Sequence, residues 1–180
     1  MYPVKNYKIT CKYGVKGGWK CGYHCGVDLI PTDKDYNIYS PVKATVFTVK
    51  KNHSSYGNYV VLKHTDGYFS RYAHLDSIAV KKGQTVSEGT VLGVMGNTGN
   101  SSGRHLHFEV HRGSSMAYPA NTDPMKYIQP TEIADIAKEL ATLGIVSDTA
   151  GLINEVKKEP CGRLYWVCRK ALAYIRRNNL

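Results

Sequence analysis

His105-Leu-His-Phe-Glu-Val-His111 is the segment from which the fold can be inferred most directly. Polar and apolar residues alternate along it, and successive side chains of a β-strand point to opposite faces. His105 and His107 therefore share one face, whereas Leu106 and Phe108 point towards a core. Two imidazoles held side by side on a strand suit metal chemistry, because one can hold a metal ion while the other acts on whatever the metal binds.

Similar short runs, rich in β-branched and aromatic residues, precede this segment and are separated by turn-forming residues. They are Ala44–Lys50, Tyr59–His64 and Tyr68–His74. The pair Asp66-Gly67 between the last two runs is typical of a β-hairpin. We therefore predict that residues 1–130 form a mainly β domain built as an antiparallel sheet or a sandwich.

The pattern changes near Pro130, beyond which apolar residues recur at helical spacing. Thr131 is a suitable N-cap for a first helix, and Asp148 is suitable for a second. The residues from Gly162 onward predict a third helix. We interpret residues 131–180 as a small α-helical module. A segment of this length has little core of its own, so we expect it to dock on the sheet domain, to self-associate or to serve in targeting.

The charge of the chain is strongly positive, with 24 Lys/Arg, 14 Asp/Glu and a formal net charge of +10. Residues 1–130 contain 16 Lys/Arg against 8 Asp/Glu, whereas residues 131–180 contain 8 against 6. A basic surface favours anionic partners, such as anionic polymers of a cell wall, and it is also compatible with a purely solubilising role. Nucleic acid is not expected as a partner, because no nucleic-acid-binding motif accompanies the charge. The first 20 residues hold no acid and five lysines, namely Lys5, Lys8, Lys12, Lys16 and Lys20.

The chain has 5 cysteines and no Cys-x-x-Cys pair, so neither a disulfide framework nor a zinc finger is predicted. Cys21 and Cys25 flank His24, and free thiols or one local disulfide are favoured over a chemical role for them. The N-terminal residues lack an apolar h-region, and no run approaches the ~18 apolar residues of a membrane helix. We expect a protein made without a signal peptide and without a transmembrane segment.

A second motif, His24-Cys-Gly-Val-Asp28, places an imidazole and a carboxylate four residues apart on one face. Gly26 argues against a helix interior and allows another backbone to approach closely. Imidazole and carboxylate are normal zinc ligands. With His107 they make three protein ligands and leave a fourth tetrahedral position open, which is the arrangement of a catalytic zinc site.

A hydrolytic zinc site also needs a group that moves protons. His105 and the histidine of Tyr72-Ala-His-Leu75, which is His74, are the free candidates for this role. The other histidines are interpreted as ordinary hydrogen-bonded residues, namely His53, His64 and His111.

Taken together, these motifs resemble the lysostaphin-type (LytM-type) peptidoglycan metallo-endopeptidases over the stretch from Gly22 to Asp123. The resemblance is carried by Gly22-Tyr-His-Cys-Gly-Val-Asp-Leu29, Pro41-Val-Lys-Ala-Thr-Val46, Tyr59–His64, Tyr72–Leu75, Lys82-Gly-Gln-Thr-Val-Ser-Glu-Gly89 and Gly96-Asn-Thr-Gly-Asn-Ser-Ser-Gly-Arg-His-Leu-His-Phe-Glu-Val110. It implies that His24, Asp28 and His107 bind Zn2+ and that His74 and His105 flank the active water. It also implies an antiparallel sheet below a narrow groove, and we expect the loops 52–57 and 113–119 to line that groove.

The activity that this resemblance implies is a zinc-dependent endopeptidase hydrolysing peptide bonds in the stem or cross-bridge of bacterial peptidoglycan, with lysis of the wall as in phage endolysins. Such an enzyme acts at the bacterial cell wall, released by phage lysis or carried by a phage or secretion-associated particle. Some relatives lose metal ligands and act as regulators, so the complete set matters. The alternative is a non-catalytic zinc-binding wall module or regulator of the same fold. A lipoyl- or biotinyl-like carrier is disfavoured, because no lysine lies in a suitable tight turn.

Overall fold

A computed structural model of the chain describes residues 2–113, 120–128 and 141–142. Apart from the last two, these residues lie in a compact unit, Met1–Ile128, and the remainder of the chain, Gln129–Leu180, forms a second unit. The elements of the first unit are β1 (Tyr7–Cys11), β2 (Val27–Pro31), β3 (Asn37–Tyr39), β4 (Ala44–His53), β5 (Gly57–His64), β6 (Tyr68–Ile78), β7 (Thr85–Val86), β8 (Val91–Met95), β9 (Leu106–Arg112), β10 (Asn121–Thr122) and the helix α1 (Pro124–Ile128).

The strands form one antiparallel sheet in the order β1-β2-β9-β6-β5-β4-β7, in which β10 also pairs with β9 and β8 pairs with β3 and β6. The predicted mainly β, antiparallel architecture is therefore confirmed. The Asp66-Gly67 pair does join two neighbouring antiparallel strands, β5 and β6. Gly67 has a φ of 83°, a conformation that glycine adopts without steric cost.

The core lies on the face of β9 that the alternation predicted to be apolar. Leu106, Phe108 and Val110 are fully buried, and the Tyr72 ring packs on the Phe108 ring with their centroids 5.2 Å apart. Burial of each such side chain contributes about 1.5–3 kcal/mol to the stability of the fold. The opposite face of β9 is buried as well, because His107, Glu109 and His111 pack among polar partners there.

Strand register places the chemically important residues in a row. Asp28 on β2 lies directly opposite His107 on β9, and His107 lies opposite Ala73 on β6. Cys11 on β1 lies opposite Asp28 on the other side. Residues directly opposite each other in an antiparallel pair project to the same face, so this row brings distant parts of the sequence to one site.

The helices predicted over residues 131–180 lie outside the described residues, apart from Ala141 and Thr142. The helical module therefore remains a prediction. Among the described residues, no helix combines the length and the hydropathy needed to cross a membrane.

Candidate metal centre

Three side chains converge at the end of the row formed by β2 and β9. His24 Nε2 lies 3.0 Å from His107 Nδ1 and 3.1 Å from Asp28 Oδ1. The triangle closes with 2.9 Å between His107 Nδ1 and Asp28 Oδ1. Tetrahedral zinc with ligand bonds of about 2.0–2.1 Å has ligand atoms about 3.3 Å apart. The three atoms thus approximate one face of such a tetrahedron, and the donor set fits zinc.

His24 is fixed by the chain segment that follows β1. Its Nδ1 donates to the carbonyl oxygen of Lys12 at 3.0 Å, so that Nε2 is left to face the other two candidate ligands. Such a bond sets the tautomer and the orientation of a metal-binding imidazole. The main-chain N–H of His24 donates to the carbonyl of Val15 at 2.8 Å, and the Trp19 ring lies 5.0 Å from the imidazole. His24 is consequently 1% exposed and held in place.

Gly26 allows the His24–Asp28 segment to approach β9. A Cβ atom at Gly26 would lie 2.4 Å from the carbonyl oxygen of Phe108 and 2.9 Å from Cε1 of His107. Both distances are shorter than carbon contacts tolerate, so only glycine fits without a shift of β9. The close backbone approach predicted for Gly26 is present in the structure.

The second nitrogen of His107 is held by a buried carboxylate that the sequence analysis did not single out. His107 Nε2 donates to Glu109 Oε1 at 3.0 Å, and Glu109 is fully buried. Glu109 also accepts hydrogen bonds from Tyr56 Oη at 2.8 Å, Arg71 at 2.8 Å and His111 Nε2 at 2.9 Å. The sequence pattern could have indicated the contact between Glu109 and His107, because the two residues are two positions apart on one strand face. Tyr56 and Arg71 come from other strands or loops and carry no local signal.

His74 and His105 lie beside the three candidate ligands. Their ring centroids are 4.8 Å apart, and His105 Nε2 lies 3.6 Å from Asp28 Oδ1. His74 Nδ1 donates to the carbonyl of Thr98 at 2.7 Å, and His105 Nδ1 donates to that of Gly103 at 2.8 Å. A neutral imidazole that donates through Nδ1 carries its lone pair on Nε2, so both rings can accept a proton at Nε2.

The backbone at His74 is unusual, with a φ of 62°. Non-glycine residues in this left-handed region are uncommon and concentrate at functional sites. The conformation is held by the main-chain N–H of His74, which donates to the carbonyl of Tyr56 at 2.9 Å, and by the bond to Thr98. The structure therefore fixes this ring through its backbone as well as its side chain.

The pKa values of the site residues are set by burial and by the hydrogen bonds among them. Burial raises the pKa of Asp28, but hydrogen bonds with His107 and His24 outweigh burial and hold that pKa well below its usual value. Burial lowers the pKa of His107, but the hydrogen bonds to Asp28 and Glu109 outweigh it and raise that pKa to about 9. Burial lowers the pKa of His74 to about 4, against the opposing bond to Thr98. The lowered pKa of His74 favours the neutral ring near pH 7, whereas the raised pKa of His107 favours a second proton on that ring in the metal-free protein.

Of the two loops predicted to line the groove, one lies within the described residues. The segment 52–57 does border the site, since the Tyr56 ring lies 5.9 Å from the His107 ring. The segment 113–119 lies outside the described residues except for Gly113.

Cys21 and Cys25 form a disulfide, which is one of the two interpretations that the sequence left open. Cys11, which the sequence analysis did not consider as a site residue, lies next to His24 and Asp28.

Comparison with known families gives a match to the model of peptidase family M23 over residues 22–121, more than half of the chain. The chain belongs to peptidase family M23. The match includes all five predicted site residues, from His24 to His107.

The relatives of this M23 chain differ in role, since they include an endopeptidase and an activator of hydrolases. It is 42% identical to the peptidoglycan DD-endopeptidase ShyA of Vibrio cholerae over 113 residues, which are 59% of this chain and 26% of ShyA. It is also 42% identical to the murein hydrolase activator NlpD of Escherichia coli over 128 residues, 71% of this chain and 30% of NlpD. The chain therefore spans less than a third of the length of these relatives.

Solved structures of similar proteins confirm the fold. The catalytic domain of lysostaphin from Staphylococcus simulans aligns with a TM-score of 0.63 at 28% identity, covering 69% of this chain and 93% of that domain. A zinc-containing peptidase from Vibrio cholerae aligns with a TM-score of 0.56 at 35% identity, covering 69% of this chain and 38% of that protein. The LytM-type resemblance inferred from the sequence is thus confirmed.

Proposed function

We propose that this M23 protein is a zinc-dependent endopeptidase that hydrolyses peptide bonds in the stem or cross-bridge of bacterial peptidoglycan. One observation carries the proposal. Three ligand atoms, His24 Nε2, Asp28 Oδ1 and His107 Nδ1, lie within 3.1 Å of one another beside two imidazoles that are not needed as ligands. Three protein ligands and a free position are what a hydrolytic zinc requires.

Zinc bound by these residues supplies Lewis acidity and makes a water acidic enough to attack a peptide carbonyl near neutral pH. The chain itself supplies the movement of protons. His74 and His105 each hold Nε2 free of the main-chain bond that fixes the ring, so one can take the proton of the attacking water. The same proton must reach the leaving amine, because an amide nitrogen departs only when protonated. The Lys12 carbonyl and the Glu109 carboxylate, which accept hydrogen bonds from the outer nitrogens of His24 and His107, would keep the two ligand imidazoles in position throughout.

A second candidate is a non-catalytic zinc-binding module or regulator of wall hydrolysis. The similarity to the murein hydrolase activator NlpD favours it. The presence of both proton-transfer histidines favours the enzyme, since a module that only binds zinc has no use for a strained, buried His74.

The wall is also the proposed place of action. Lys8, Lys12, Lys16 and Lys20 are all exposed and form a basic segment beside the metal centre, suited to anionic wall polymers. Such attraction weakens with salt, because the Debye length falls from ~10 Å at 0.1 M to ~3 Å at 1 M. Delivery by phage lysis, or by a phage or secretion-associated particle, is the corresponding proposal for how the protein reaches the wall.

Mass spectrometry of digested walls tests the proposed activity. Purified peptidoglycans with different stems and cross-bridges are incubated with the zinc-loaded full-length protein, with or without a chelator. We expect each cleavage to leave a new amine on one peptide fragment and a new carboxylate on the other, without cleavage of glycan bonds. The chelator should abolish all of these products. Stoichiometric zinc without products from any wall type would favour the regulator instead.

A further inference from the structure

Cys11 is a thiol beside the metal centre. Its Sγ, one ring nitrogen of His24 and one carboxylate oxygen of Asp28 all lie within 4.8 Å of one another. Cys11 is partly buried, and it stands apart from the disulfide that joins Cys21 and Cys25. The mechanism proposed above gives this thiol no role.

A β-bulge brings Cys11 to this position. Ile9 on β1 pairs with Leu29 on β2, and Cys11 pairs with Asp28, so Thr10 is an extra residue on β1. With regular pairing Thr10 would face Asp28 instead. Bulges of this kind re-aim side chains and are frequent next to active sites. Here the bulge puts a sulfur atom, rather than a hydroxyl, into the row that contains Asp28 and His107.

The residue that follows β1 is hydrogen-bonded to one of the proposed zinc ligands. The residue after Cys11, Lys12, accepts the Nδ1 hydrogen of His24 at 3.0 Å through its carbonyl oxygen. The position of Cys11 relative to His24 is therefore constrained through one peptide unit. The thiol cannot move far from the ligands while this bond is intact.

Zinc binds thiolate sulfur at about 2.3 Å, so a tetrahedral sulfur lies about 3.6 Å from its imidazole and carboxylate neighbours. The separations of up to 4.8 Å between Cys11, His24 and Asp28 exceed this by about 1 Å. Rotation of the Cys11 side chain covers such a distance without a change in the strand. Thiolate is also a softer and stronger zinc ligand than water.

We propose that Cys11 is a conditional fourth protein ligand of the zinc held by His24, Asp28 and His107, and that its thiolate closes the site in a resting form. The inference rests on the proposed function, since it concerns the same metal. On closure the thiol loses its proton to solvent, the zinc–sulfur bond forms and one water leaves the metal. The reverse step opens the site, so withdrawal or covalent blocking of the thiol activates the enzyme.

Cobalt spectroscopy tests the ligand directly and does not depend on activity. The full-length protein is loaded with Co2+ in place of zinc, without reductant, so that the Cys21–Cys25 disulfide is retained. We expect visible ligand-field bands together with a sulfur-to-cobalt charge-transfer band in the near ultraviolet. Cys11→Ala and Cys11→Ser should keep the visible bands and lose the charge-transfer band. The double variant Cys161→Ser/Cys168→Ser, which replaces the two cysteines near the end of the sequence, is the matched control and should keep both.

The outcomes separate this inference from the proposed function. Visible bands without a charge-transfer band in the wild-type protein, or a charge-transfer band that survives in both Cys11 variants, would overturn the role of Cys11 alone. Failure of the wild-type protein to bind Co2+ at all would overturn the metal centre and the role of Cys11 with it. With zinc loaded, we further expect Cys11→Ala to cleave wall peptides several-fold faster than the wild-type protein. An unchanged or lower rate would contradict closure of the site.

Discussion

At the residue scale, the proposed metal ligands and the proposed proton-transfer groups should respond differently to substitution. His105→Ala and His74→Ala should each keep zinc, because neither imidazole belongs to the ligand triangle, and should lose about 10²–10⁴-fold in turnover. The measurement is the rate of cleavage of an isolated wall peptide, with the zinc content of each preparation as the control. A wild-type rate in either variant would remove that residue from the mechanism.

Zinc binding should also depend on pH through His107. Because the pKa of this imidazole is raised to about 9 in the metal-free protein, zinc must displace a proton at pH 7. We expect release of about one proton per zinc, and an affinity that rises about tenfold per pH unit up to about pH 9. Calorimetry at pH 7 in buffers of different ionisation enthalpy measures the released proton. A value near zero would show that His107 is neutral before the metal binds.

The stability of the metal-free fold should change with pH in the opposite direction to its zinc affinity. A pKa raised in the folded state stabilises the protein fully below the unfolded value, about 6.5 for histidine, and this contribution is lost as the pH rises towards 9. The metal-free protein should therefore become less stable over the same range in which its zinc affinity increases.

The site residues differ in how far the sequence could predict them. His105 and His107 were placed on one face by local alternation alone. His24, Asp28 and His107 were proposed as one ligand set from the residue types in their motifs, and the family resemblance supported that set. Their meeting across 83 and 79 residues could not be derived locally, because no local rule fixes which strands pair. Glu109, Tyr56 and Arg71 form a network whose members come from separate strands and loops. Nothing in the spacing of Cys11 indicated the bulge that moves it opposite Asp28.

At the scale of elements, the approach of the His24–Asp28 segment to β9 depends on Gly26. In Gly26→Ala the new methyl group would meet the Phe108 carbonyl at 2.4 Å and His107 at 2.9 Å, so β9 or the His24–Asp28 segment must shift. Because a displaced ligand weakens the metal site, we expect zinc affinity to fall at least about tenfold, comparable to the loss of an outer hydrogen bond to a ligand.

Competition with a chromogenic chelator measures that affinity. Gly18→Ala is the matched control, since a Cβ atom at Gly18 meets nothing within 4 Å. Equal zinc affinities for the two variants would show that the close contact at Gly26 does not position the metal centre.

At the scale of the whole molecule, the candidate metal ligands and the contacts described for them lie within Met1–Ile128. A chain cut after residue 130 should therefore bind zinc and cleave small soluble peptides, whereas lysis of intact walls should fall if residues 131–180 serve in targeting. Zinc content and a thermal melt of the truncated chain provide the measurement. An aggregated, metal-free product would make residues 131–180 part of a single fold.

A second truncation, which also removes α1, is the control for the chain cut after residue 130. Tyr127 on α1 hydrogen-bonds His64 at 2.8 Å and Asp66 at 2.8 Å, and its ring packs on Tyr68 with centroids 4.6 Å apart. A chain cut after residue 122 loses these contacts and should melt at a lower temperature than the chain cut after residue 130. The comparison distinguishes the loss of α1 from the loss of residues 131–180.

The central claim is that His24, Asp28 and His107 hold one zinc ion, and metal analysis tests it most directly. Purified wild-type protein, His107→Ala and His105→Ala are loaded with zinc, dialysed and analysed by mass spectrometry for bound metal. We predict about one equivalent per chain in the wild-type protein and in His105→Ala, and almost none in His107→Ala, because a site with two of its three ligands loses most of its affinity. A full equivalent of tightly bound zinc in His107→Ala would contradict the proposed metal centre.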